Sequence, residues 1–101
     1  MTDIQKTLVG AKALLQKHGW AQRCSVDRDG CYCMVHAVVE SAAAVASVER
    51  VVQLSIDACA LIRNALGGVD PIVWNDESTR TLADVESLLS QLAANEPKAT
   101  T

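Results

Sequence analysis

Ser47-Val48-Glu49-Arg50-Val51-Val52-Gln53-Leu54-Ser55-Ile56-Asp57-Ala58-Cys59-Ala60-Leu61-Ile62-Arg63-Asn64-Ala65-Leu66, stopped by Gly67-Gly68, is the stretch that decides the fold. Its apolar residues recur at helical spacing, which predicts a helix over 47–66. Ser47, with Glu49 and Arg50 behind it, reads as the N-cap. Val48, Val51, Val52, Cys59 and Ile62 fall on one face, and Leu54, Ala58, Leu61 and Ala65 on another. A helix apolar on two sides is either central in its domain or shared with a partner. The second face, taken with the Ala42–Ala46 surface, exceeds what four short helices need. Leu54, Ala58, Leu61 and Ala65 are therefore the candidate interface of a homodimer, where small side chains let helices approach closely.

Working outward, Met34 to Val45 repeats the helical pattern, with Val35, Val38, Val39 and Ala42 on one side. Upstream, Thr2 and Gln5 form a capping box ahead of Ile4, Leu8, Ala11, Leu14 and Leu15, predicting a helix over 3–18 that ends at Gly19. Residues 20–33 break the period. Asp29-Gly30 is a turn signal, so this segment is expected to be a small β-hairpin or an ordered loop. Downstream, Pro71 imposes an extended entry and Ile72-Val73-Trp74 reads as a short strand. Thr81 and Asp84 then open a last helix carrying Leu82, Val85, Leu88, Leu89 and Leu92 to about Ala94. The expected architecture is mostly α: a four-helix compact domain over residues 1–95, with a flexible tail over 96–101.

Composition narrows the function classes. The net charge of −3 and the scattered basic residues leave no basic stripe for a nucleic-acid backbone, so direct nucleic-acid binding is disfavoured. The start Met1-Thr2-Asp3-Ile4-Gln5 does not read as a secretory leader, and Met34 to Ala46 is too short and too interrupted to span a bilayer. A cytoplasmic protein, off the membrane and with its four cysteines as thiols, is expected.

All three aromatic residues and three of the four cysteines sit in two clusters that flank this apolar middle. One runs from Gly19-Trp20 to Gly30-Cys31-Tyr32-Cys33; the other is Trp74-Asn75-Asp76, followed by Thr81. In this order they resemble a family of small uncharacterised bacterial and phage proteins, a domain of unknown function. The family pattern has a glycine ahead of the alanine in the helix after the cysteine, where this chain has His36 before Ala37. The resemblance covers residues 4–92 and implies architecture and a phage or mobile-element setting, with no assigned activity.

These residues are compatible with several chemistries. Cys33 at a helix start, His36 one turn on and Asp76 from the second cluster are the parts of a thiol nucleophile, a base and an orienting carboxylate. The plainer alternative makes Cys33 a small core residue. Cys24, Cys31, Cys33 and His36 offer zinc-ligand types, but their spacing departs from the usual knuckles, so neither a metal nor another cofactor is expected. Trp20, Trp74, Asn75, Asp76 and Arg80 could line a cleft for a nucleobase and phosphate. The alternative has the indoles packing the loops and Asn75 and Asp76 holding backbone groups. The favoured expectation is a non-enzymatic phage or mobile-element protein that binds a host protein, with inhibition of a bacterial defence system as its concrete form. The alternatives are a small-molecule or nucleotide-signal binder and a small thiol enzyme using Cys33.

Overall fold

Helix α1 (Asp3–His18) begins where its backbone donors are first satisfied. Thr2 Oγ1 accepts from Gln5 N at 3.1 Å and Gln5 Oε1 accepts from Thr2 N at 2.8 Å, the reciprocal box expected from the sequence. The computed structural model describes residues 1–95, so the expected tail over 96–101 lies outside the described residues. α1 ends at Gly19, whose φ of 92° is open to glycine and costly for other residues. A Cβ at Gly19 would also stand 2.7 Å from Cys31 Sγ, so the position is closed on both counts.

Helices α2 (Met34–Val45), α3 (Val51–Ala65) and α5 (Leu82–Asn95) complete the four long helices expected. α1 packs chiefly against α2 and α5, and α3 lies against α2. The core where they meet is built from Leu8, Leu15, Met34, Val38, Ile62, Val85 and Leu89, all fully buried, with Ala11, Ala37 and Ala58 between them. Small residues set the spacing. Gly10 on α1 faces Ser41 on α2 so closely that a Cβ there would collide with the Ser41 hydroxyl. Gln5 Nε2 donates to Ala93 O at 3.0 Å, tying the start of α1 to the end of α5. Thr81 and Asp84 cap α5 as expected, with Thr81 N donating to Asp84 Oδ2 and Asp84 N to Thr81 Oγ1.

Two local readings change. The Ile72-Val73-Trp74 strand is a one-turn helix, α4 (Pro71–Asn75). Pro71 occupies its first turn, where a missing N–H costs nothing, and Asp70 caps it by accepting from Ile72 N at 2.8 Å. Those signals outweigh the β-propensity of Ile-Val-Trp. Ser47 does not cap α3 with its side chain; its carbonyl instead accepts from Arg50 N and Val51 N, forming a turn that leads into the helix. Between α1 and α2 the chain takes the ordered-loop form. Two isolated bridges share Tyr32, which pairs parallel with Trp20 and antiparallel with Val26. Asp27 organises the turn, its Oδ1 accepting from Asp29 N and Cys31 N at 2.9 Å each.

Candidate functional site

Asn75, the last residue of α4, carries the geometry that joins the two clusters. Its side chain is fully buried, and such an amide is stable only if both ends find partners. Here they do. Oδ1 accepts from Trp20 Nε1 at 2.7 Å and from Met34 N at 3.1 Å. Nδ2 donates to Ala21 O and to Asp76 Oδ1, each at 3.0 Å. One side chain thus holds the residue after Gly19, the first amide of α2 and the loop backbone to α4. The Met34 contact also satisfies a helix-terminal N–H that the fold buries.

The neighbouring groups reinforce this joint. Gln22 Nε2 donates to Asn75 O at 3.0 Å and to Glu77 O at 2.7 Å. Asp76 Oδ1 accepts from Arg23 N at 2.8 Å, where Arg23 holds a positive φ of 66°, a region costly for a residue with a Cβ. The Arg80 guanidinium lies 3.9 Å over the Trp74 ring, and its Nε donates to Trp74 O at 3.1 Å while Nη2 pairs with Glu77. Trp20 and Trp74 are both half-buried against the core.

The candidate thiol triad is not assembled. Cys33 is buried and caps α2, its Sγ accepting from the backbone N of His36 at 3.3 Å. The His36 ring stands edge-on to Tyr32 at 4.5 Å and its Nε2 lies 3.6 Å from Glu40, while His18 stacks on the other side of Tyr32. Asp76 is engaged by Arg23 and Asn75. Among the described residues no hydrogen bond links the Cys33 thiol to an imidazole or carboxylate. Partial burial, followed by the carboxylates of Asp27 and Asp29, pushes the Cys31 thiol up; burial, followed by Asp70, does the same at Cys59. Both shifts favour the unreactive thiol form. Among the described residues no group of three His, Cys, Asp or Glu side chains is gathered to hold a metal ion.

A shallow cavity of about 190 Å³ opens beside the joint, lined by Arg23, Cys24, Cys33, Val35, Ile72 and Asp76. Asn75 also lines it, and its amide and the Asp76 Oδ1 already have partners within the protein.

The profile of a family of unknown function, DUF6197, matches residues 1–95. This chain belongs to that family. No curated protein and no solved structure gives a significant match.

The candidate interface is reversed. Leu54 and Ala58 are 5% and 0% exposed and join Ile62 in the core of the family member's own domain. Leu61 is half-buried and Ala65 exposed at the helix end. The uncovered side of α3 is instead Val52 and Ile56, at 68% and 54% exposure, with Val48 at 90% on the turn before it. Spacing alone gives two apolar faces; only the position of α2 and α1 says which one turns inward. Gln22 and Arg23 gave no local signal because their partners lie more than fifty residues away: the Gln22 amide meets the Asn75 carbonyl and the Arg23 backbone N–H meets the Asp76 carboxylate. The Val48-Val52-Ile56 series, four residues apart, was the signal for the outer face.

Proposed function

We propose that this protein is a non-enzymatic binding protein that acts by occupying another protein, in the cytoplasm. One contrast supports the reading. The Asn75 amide and the Trp20 indole N–H are engaged within the fold, while large apolar side chains on α3 and α4 face solvent, Ile72 at 52% and Val73 at 63% among them. Exposed apolar residues beside a rigid support are the ordinary basis of protein recognition. A nucleotide would find the Trp74 face occupied by Arg80 and the Asn75 amide saturated, and a thiol mechanism would find no base beside Cys33. Free thiols at all four cysteines suit a reducing compartment.

The sharpest version makes the bound protein a host component, a bacterial defence factor where the gene lies on a phage or mobile element. Ile72, at the edge of the cavity, and Val73 beside it on the same short helix are the proposed contact. Affinity capture from host lysate with the full chain, run beside an Ile72→Glu/Val73→Glu variant, tests it. The expected result is one stoichiometric host protein retained by the unmodified chain and lost by the variant. Absence of a specific partner, or equal recovery by both, defeats the reading.

A further inference from the structure

We infer that the outer face of α3 pairs with the same face of a second copy, antiparallel, across a two-fold axis at Ile56. This rests on the reading above that the protein works by protein contact, and assigns one surface of it. Around an α-helix each residue advances about 100°. On that scale Val52, Ile56 and Ala60 lie within about 40° of one line, opposite the buried Leu54, Ala58 and Ile62. Ser47 O accepts from both Arg50 N and Val51 N, so residues 48–50 form a turn leading into α3, and Glu49 stands exposed on that turn just ahead of Val52. Arg63 closes the line at the other end. Glu49, Val52, Ile56, Cys59 and Arg63 are thus spaced three, four, three and four apart, the seam of a two-helix pairing.

Charge decides the direction. Glu49 and Arg63 are both exposed, and among the described residues neither takes part in an ion pair. They lie seven residues on either side of Ile56. A two-fold axis at Ile56 sets Glu49 of each copy against Arg63 of the other. A parallel pairing would set Glu49 against Glu49 and Arg63 against Arg63, which like charge opposes. Shape agrees with the antiparallel register. A groove of about 310 Å³ runs between α3 and the start of α4, lined by Ile56, Cys59, Ala60, Arg63 and Pro71. The axis brings Val52 of the second copy over Ala60, the small residue of that groove. Each copy offers one knob and one groove, so the contact is closed and self-complementary.

Light scattering coupled to size-exclusion chromatography, over a concentration series of the full chain, tests the inference. The unmodified chain is expected to run as a concentration-dependent dimer. Glu49→Arg and Arg63→Glu, each alone, turn both end contacts repulsive and are expected to weaken it about tenfold. The double variant E49R/R63E restores the opposite charges and is expected to recover the affinity, a pattern that loss of folding cannot produce. A monomer at all concentrations overturns the inference, as does a dimer indifferent to the single reversals. Either outcome leaves the Ile72–Val73 contact to stand or fall on its own capture experiment.

Discussion

Asn75 and Ile56 sit on opposite terms with water. Asn75 is a polar side chain from which the fold has excluded solvent, and all four of its hydrogen-bonding positions are filled. Ile56 is an apolar side chain that the fold leaves more than half exposed. The first is the arrangement that stabilises a monomer. The second stabilises nothing until something covers it. A conspicuous motif can therefore be architecture, while an inconspicuous aliphatic series carries the surface open to recognition.

Substitutions should separate the two regions by the size of their effects. Asn75→Ala strips partners from Trp20 Nε1, Met34 N and Ala21 O at once and is expected to cost about 3–4 kcal/mol in chemical denaturation. A cost under about 1 kcal/mol would break the view of Asn75 as the joint. Gly10→Ala makes the Ser41 hydroxyl of α2 turn away, a loss partly offset by alanine's helix propensity, and is expected to cost about 1 kcal/mol, measured the same way. Trp20→Phe keeps most of the ring but removes one donor, leaving Met34 N on Asn75 Oδ1. Its expected cost is about 1 kcal/mol, and the gap between it and Asn75→Ala sharpens how much of the joint is the amide itself. Val52→Ser, on the outer face of α3, is expected to shift the unfolding free energy of the dilute protein by less than about 0.5 kcal/mol. A large loss there would mean that the face is already part of the folded unit.

What the sequence revealed follows the range of each interaction. Thr2 with Gln5 and Thr81 with Asp84 were legible because a capping box closes within three residues. The four long helices were legible from periodicity. The one-turn helix at Pro71 was misread because Ile72, Val73 and Trp74 favour strands, and the competing signals, Asp70 as cap and Pro71 behind it, are two residues long. The function of Asn75 was out of reach. Its partners Met34, Ala21 and Trp20 lie 41, 54 and 55 residues away, and no local pattern announces such a meeting. The choice between the two faces of α3 was closed for the same reason. Ile62 groups by eye with Val48 and Val52, yet the neighbouring helices bury it with Leu54 and Ala58.

The bond from Gln5 to Ala93 has a practical corollary. Eighty-eight positions apart in the chain, these residues are neighbours in space. A short linker would therefore join the two ends of the helical bundle, and new ends could be cut into the exposed Gly67-Gly68 turn. Such a circularly permuted version would keep the packing of the helices while placing its new ends at the close of the Ile56 helix.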